Sequence, residues 1–223
     1  MNLTIVVGLK AEARLARRLG LAVVVGGGTA AGAAEAAARA VAGGAAGLLS
    51  LGLAGGLDPA ARPGLLLVPA SVLCDGQWHA ADPALLAWLG GVTPHRLLAA
   101  DAPAMGAGDK QRLWRETGAT AVDLETAAVV RAAATHRLPF AVLRAVCDPA
   151  ERTLPPAALV ALDARGTIGP VRVAWSIVRH PGQVPALSRR AADAVAARRA
   201  LARRVGEVRR WQPSPPSNAS ASG

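Results

Sequence analysis

Tyrosine is absent from this 223-residue chain, and Phe140 is its only phenylalanine. A core so short of aromatics must be filled by alanine, glycine, valine and leucine, and therefore by close backbone approach. Hydrophobic residues still make up 52% of the chain, which excludes a disordered protein and allows a large single core. Cysteine is equally scarce. Cys74 and Cys147 form no framework of spacings and no metal motif, which excludes a disulfide scaffold and a cysteine-based metal site and predicts reduced thiols. No strongly apolar run reaches about 18 residues. The stretch from Leu19 to Leu57 comes nearest, but Glu35, Arg39 and many glycines break it. Met1 to Lys10 has no basic region ahead of its apolar run, so no signal peptide is expected. These absences together predict a cytoplasmic protein. The acceptor-like triplet Asn218-Ala219-Ser220 is then a chance match.

Acidic charge is also in short supply. Fifteen aspartates and glutamates face 25 lysines and arginines, for a net charge of +10. The excess is concentrated near the C-terminus. Arg189, Arg190, Arg198, Arg199, Arg203, Arg204, Arg209 and Arg210 are opposed only by Asp193 and Glu207. Alanine, valine and leucine lie between them, a pattern of an amphipathic helix with a basic face over residues 184–211. Such a helix is either a solvated outer face or a contact for an anionic membrane. Nucleic acid is not expected, because no aromatic residues are interleaved with the charge.

Apolar and helical stretches alternate along the chain. Strands are expected at Thr4–Gly8, Ala22–Val25, Leu48–Leu51, Leu65–Leu73, Arg96–Ala100, Ala121–Asp123 and Pro139–Val146. Helices are expected after Thr29 to Val41, at Pro83–Leu89, Gly108–Thr117 and Glu125–His136, at Pro156–Arg165 and Pro170–Arg179, and in the basic segment. Lys10–Arg18 reads as polar, and Gly52–Pro59 as a loop too rich in glycine for helix or strand. One domain is expected over 1–211, followed by a disordered tail over 212–223. This alternation argues for an α/β fold with a mostly parallel sheet, whose ligands sit beyond the carboxyl ends of the strands.

Four features fall at those strand ends. Gly26-Gly27-Gly28-Thr29 precedes a helix and is either an anion-binding turn or a tight packing turn. The Gly52–Gly56 run, with Ala54 and Gly55, either admits a planar ligand against bare backbone or is structural, and Asp58 before Pro59 reads as a turn residue. Asp123-Leu124-Glu125 places two carboxylates where a strand meets a helix. They either cap that helix or accept hydrogen bonds from the paired hydroxyls of a ribose. Cys147-Asp148 ends an apolar strand. Asp148 is either a turn initiator before Pro149 or a desolvated general acid, and Arg144 is an ion-pair partner or a ligand contact.

Taken together these stretches resemble the nucleoside phosphorylase and nucleosidase superfamily, particularly its methylthioadenosine nucleosidase-like branch. Ser50-Leu51-Gly52-Leu53-Ala54-Gly55-Gly56-Leu57 is similar to the glycine loop of that branch. Val122-Asp123-Leu124-Glu125 and Arg144-Ala145-Val146-Cys147-Asp148 are similar to its two acidic segments. The opening Val7–Arg14, Leu162–Gly166, Val178–Leu187 and the arginine-rich helix resemble the hopanoid-associated phosphorylase subfamily more narrowly. The resemblance implies a three-layer single-domain fold with a central mixed sheet flanked by helices, and self-association. It implies cleavage of the N-glycosidic bond of an adenine nucleoside, in the narrower case adenosylhopane. Asp148 would protonate purine N7, Glu125 would hold the ribose hydroxyls, and Leu124 would pack on the sugar, with Cys147 and the glycine loop beside it.

Hydrolytic members carry an N-terminal glutamate that activates water. An ungapped alignment on Gly8 puts Ala13 there, and Glu12, one place before it, is the candidate. Phosphorolytic members bind phosphate through backbone N–H groups and arginine. Gly27, Gly28 and Thr29 would supply the first, and Arg14 or Arg17 the second. Inorganic phosphate is thus a candidate co-substrate, no cofactor or metal is implied, and the choice between hydrolysis and phosphorolysis stays open. Where the branch stacks a phenylalanine on the base, this chain has Asp101-Ala102-Pro103-Ala104-Met105, leaving Pro103 or Met105 as the apolar contact. A soluble substrate such as methylthioadenosine, or a non-enzymatic basic protein that binds membrane, are the alternatives.

Overall fold

The computed structural model describes residues 2–104, 106–152 and 184–208, with side chains from 191 onward in the last stretch. Strand β1 (Leu3–Val7) leads into α1 (Lys10–Ala16), a 3-10 turn (Arg17–Leu19), β2 (Ala22–Val25) and α2 (Ala30–Ala42). There follow β3 (Gly47–Gly56), β4 (Leu66–Leu67), β5 (Ser71–Cys74), β6 (Gln77–Ala80) and α3 (Pro83–Trp88). The chain continues through β7 (Leu97–Ala99), α4 (Ala107–Thr117), β8 (Ala121–Asp123), α5 (Thr126–His136), β9 (Phe140–Asp148) and α6 (Val184–Glu207). The helix expectations at 156–165 and 170–179 and the tail lie outside the described residues.

The strands form one mixed sheet in the order β2-β1-β3-β8-β7-β5-β6, with β9 against β3 and β4. Its centre is parallel. β1 runs alongside β2 and β3, and β3 runs alongside β9 from Leu48↔Phe140 to Ala54↔Val146. Central parallel strands are covered on both faces, which is why Leu-Thr-Ile-Val-Val of β1 and the first eight residues of β9, Cys147 excepted, are apolar or buried without alternation. The flanking helices pack in two groups, α2 with α5 and α1 with α6. Ala33 and Ala37 of α2 meet Ala128 of α5, so small side chains let these two helices approach closely. The sheet flanked by helices is the expected architecture.

Local chemistry sets the element ends. Thr29 Oγ1 accepts from Gly32 N at 3.1 Å and starts α2. Asp82 Oδ1 accepts from Leu85 N at 2.9 Å, with Pro83 at the first helical position of α3. Gly118, left-handed at φ 63°, ends α4.

Three expectations are corrected. Gly52–Gly56 is not a loop but the second half of β3. The ladder to β9 overrides its poor strand propensity, and beyond an irregularity at Ala54/Gly55 the strand also pairs antiparallel with β8. Strand β6 was not expected. It forms because Asp75 and Gly76, both at positive φ (52° and 75°), make a two-residue hairpin turn with β5. The basic helix ends at Glu207 rather than near Trp211. It docks on β9 through Ala197, Ala200, Leu201 and Val205, and Arg204 turns inward to donate to Leu89 O at 2.9 Å. Arg199 and Arg203 stay exposed.

Candidate active site

Parallel β1, β3 and β9 end at the same edge of the sheet, and their last residues meet the start of α5. There a cavity of about 280 Å³ opens, at the small end for ligand pockets. Glu12, Gly28, Ala54, Gly55, Pro103, Asp123, Leu124, Glu125, Cys147 and Asp148 all line it. Of the other expected residues, Gly27 and Thr29 do not reach its wall, since Thr29 is committed to capping α2. Arg14 and Arg17 are exposed on the outer side of α1 and its following turn, so they bring no charge to the cavity. Met105 lies outside the described residues.

Beneath the cavity is Arg144, fully buried on β9. Its Nε lies 2.5 Å from Asp123 Oδ2 and its Nη1 3.3 Å from Glu125 Oε2. Nη2 donates to Ser50 Oγ at 2.7 Å and Thr126 Oγ1 at 3.2 Å. The Thr126 hydroxyl donates to Asp123 Oδ2 at 2.6 Å, so Ser50 is left to donate across the 2.9 Å contact to Thr126. Asp123 Oδ1 also accepts from Thr126 N at 3.2 Å and caps α5. Asp123 is therefore fully occupied by structure, and the ion-pair reading of Arg144 holds. Glu125, at the N-cap of α5, makes no capping bond, and its carboxylate is left to face the cavity.

Glu12 arrives from the other side. At the third position of α1 it reaches back so that Oε2 accepts from Leu9 N at 2.8 Å, while Oε1 accepts from Leu53 N at 3.0 Å. The residue one place before the aligned position is thus the one whose carboxylate lines the cavity. Two glycines make room for this cluster. A methyl group on Gly52 would lie 2.7 Å from Glu12 Oε1 and strike Arg144 Nη1, and one on Gly8 would overlap Glu125 Oε1.

Three carboxyls therefore share one buried guanidinium. Burial pushes the Glu125 carboxyl up to about 7; Arg144 draws it back, and Asp123 and Glu12 add to the rise. Burial likewise raises Glu12 and Asp123 above the ordinary carboxylate range, against the pull of Arg144. Burial works against the Arg144 cation, but its three carboxyl neighbours more than compensate and hold it protonated. The Cys147 thiol is pushed up to about 12 by burial and by Asp148, so it is an uncharged wall group rather than a nucleophile.

Sequence reasoning missed Lys110, Leu9, Leu53, Ala104 and Val122 as cavity residues. Lys110 is the important omission. It is buried in the first turn of α4, its Nζ pairs with Asp148 Oδ2, and it donates to Pro149 O at 3.0 Å. A signal existed, since only two of the 25 basic residues are lysines. The others missed are apolar residues that carry no chemical mark of their own. Among the described residues no group of histidine, cysteine or acidic side chains is arranged to hold a metal.

Residues 92–166 match the family model described as phosphorylase superfamily. No curated protein matches the sequence significantly. Solved structures match more widely. A 5′-methylthioadenosine/S-adenosylhomocysteine nucleosidase from Colwellia psychrerythraea, in complex with adenine, is 17% identical with a TM-score of 0.64, covering 96% of this chain and 98% of its own. The futalosine hydrolase of Helicobacter pylori gives 17% and 0.62, covering 79% and 97%. The Streptococcus pneumoniae MTA/SAH nucleosidase, in complex with 8-aminoadenine, gives 20% and 0.59, covering 68% and 87%. At these identities the likeness is one of fold: the chain is built on the fold these nucleosidases share.

Proposed function

We propose that this protein hydrolyses the N-glycosidic bond of an adenine nucleoside. The observation that carries the reading is the convergence of Glu12, Glu125 and Asp148 on one cavity wall, from three separate stretches of chain. Hydrolysis of an N-riboside needs three groups: a base for water, an acceptor for the ribose hydroxyls as the sugar gains positive charge, and a proton for the departing base. Glu12 is held by two backbone N–H groups and serves as the first. Glu125 serves as the second, and its negative charge also favours an oxocarbenium-like sugar. Asp148 faces purine N7 as the third. The nucleosidases with this fold act on, or bind, adenine compounds, which supports adenine as the leaving group.

Electrostatics favours water over phosphate. Lys110 is already matched by Asp148, and Arg144 by Asp123 and Glu125. An incoming phosphate would meet Glu12, Glu125 and Asp123 with no uncommitted side-chain cation among the described wall residues.

Within this class we propose a substrate with a bulky apolar 5′ substituent, of which adenosylhopane is the specific candidate. Leu9, Leu53, Leu124, Val122 and Pro103 make the wall largely apolar, and no aromatic ring lies among the described wall residues. Exposed Arg199 and Arg203 on α6 would hold the protein at an anionic bilayer where a lipid-linked nucleoside resides. The test is incubation with adenosylhopane and with methylthioadenosine, each with and without phosphate, with identification of the sugar product. Free ribosylhopane in both buffers is expected. A sugar 1-phosphate formed only with phosphate would overturn hydrolysis, and faster turnover of methylthioadenosine would overturn the lipid substrate. Binding to anionic vesicles should weaken as salt rises, and salt-insensitive or absent binding would remove the membrane contact.

A further inference from the structure

Lys110 occupies a position that helix energetics disfavours. It is a cation in the first turn of α4, where the helix dipole repels positive charge. It is also 1% exposed, and burying an ammonium costs several kcal/mol unless it is paired. Helix α4 itself does not require it. The other charges, Asp109, Arg112, Arg115 and Glu116, are exposed, and Arg112 lies within 3.9 Å of Asp109 and 3.7 Å of Glu116. Lys110 alone turns inward, lines the cavity, and meets Asp148 Oδ2 and Pro149 O. A carboxylate so paired is no ready-made acid, because the nearest proton is carried by nitrogen.

Resting on the reading of Asp148 as the group that faces purine N7, we propose that Lys110 is a positioning residue that stores the leaving-group proton and delivers it through Asp148. In the free protein the proton is on Nζ. As the C1′–N9 bond breaks, its electron pair passes into the purine. The proton moves from Nζ to Asp148 Oδ2 and on to N7, so adenine departs neutral. The oxygen of water forms the new bond to C1′, and its proton goes to Glu12. The turnover leaves Lys110 neutral and Glu12 protonated, and one proton exchanged through solvent restores both. The 3.0 Å bond to Pro149 O keeps Nζ in place while its charge changes.

The test compares two substrates that share a sugar and 5′ group. One carries adenine, and the other carries p-nitrophenolate, which leaves without a proton. In Lys110→Met the ratio of adenine to p-nitrophenolate release should fall by about 10²-fold or more, the range for loss of an acid catalyst. Asp148→Asn combined with Lys110→Met should cost no more than Asp148→Asn alone, since both act on one proton. Lys110→Gln, which keeps a donor for Pro149 O, repeats the comparison if the methionine variant does not fold. An equal fall on both substrates, or additive losses in the double variant, would make Lys110 structural and overturn the proposal. If the wild type releases p-nitrophenolate but no purine, the reading of the leaving group itself fails, and this proposal falls with it.

Discussion

Arg144 Nε and Asp123 Oδ2 lie 2.5 Å apart, with the two side chains 0% and 2% exposed. The pair fastens the end of β8 and the start of α5 to β9, beneath the cavity. Removing the cation would leave a buried carboxyl with only Thr126 to satisfy it. Arg144→Met should therefore cost about 3–5 kcal/mol in denaturant unfolding, the range for breaking a buried pair. Arg144→Lys keeps the charge but cannot reach Asp123, Ser50 and Thr126 together, and should recover only part of that loss.

Glu125 gives activity and stability opposite dependences on pH. In its proposed role as acceptor for ribose hydroxyls it must be ionised, so kcat/KM should rise as pH increases through about 7. Glu125→Gln should lose that limb along with most activity. For stability the sign reverses. The folded-state pKa lies above the ordinary 4.5, so the carboxyl's contribution is full below about 4.5 and is lost as pH rises through about 7. Glu12 and Asp123 are shifted in the same direction. Unfolding by urea should show a less stable protein at pH 8 than at pH 5, and a smaller difference in Glu125→Gln.

Glu12→Gln keeps the size of the side chain while removing the proposed base. Steady-state kinetics should show kcat down by about 10²–10⁴-fold with KM changed far less. A variant with normal kcat would require another base for water.

Gly52→Ala and Gly55→Ala make a matched pair three residues apart. A methyl at Gly52 meets Arg144 and Glu12, whereas one at Gly55 meets only Val122, at ordinary contact distances of 3.7 Å (Cγ1) and 3.8 Å (backbone O). Gly52→Ala should lower both melting temperature and kcat. Gly55→Ala should melt close to the wild type, and its effect should appear in KM because it intrudes on the cavity wall.

Arg131 acts at a distance from the chemistry. It binds Asp101 through Nη1 at 2.8 Å and Nη2 at 2.7 Å, and it also holds Asp75. Asp101 begins the segment that carries Pro103 and Ala104 to the cavity. Arg131→Ala should change stability by no more than about 1 kcal/mol, as for exposed ion pairs. It should instead raise KM, because the segment loses its anchor.

The acids at strand ends were legible because aspartate and glutamate stand out against apolar strands. Asp148, Glu125 and Asp123 needed only their order along the chain to be singled out. Gly52–Gly56 was misread because local propensity says nothing of a ladder to residues some 90 positions away, and that pairing decides the conformation. The Asp75-Gly76 hairpin was legible in principle, since the dipeptide is a strong turn signal, but the polar Gln77–Ala80 strand after it gives no alternation to read. Lys110 was invisible for a different reason. Its partner Asp148 is 38 residues later, and nothing in a helix's own sequence says which residue it carries inward.

Strand β3 lies between β1 and β9, and its end turns to meet β8. During synthesis, β1, β2 and β3 emerge from the ribosome before β9, with one long edge of β3 unpaired until residue 148 has followed. Pairings of such wide sequence separation form slowly. A nascent chain stalled before β9 would present a glycine-rich, apolar strand edge, open to self-association. It would also hold Glu12 and Glu125 without Arg144 to bring them together. The proposed catalysis should therefore appear all at once, when β9 slots in.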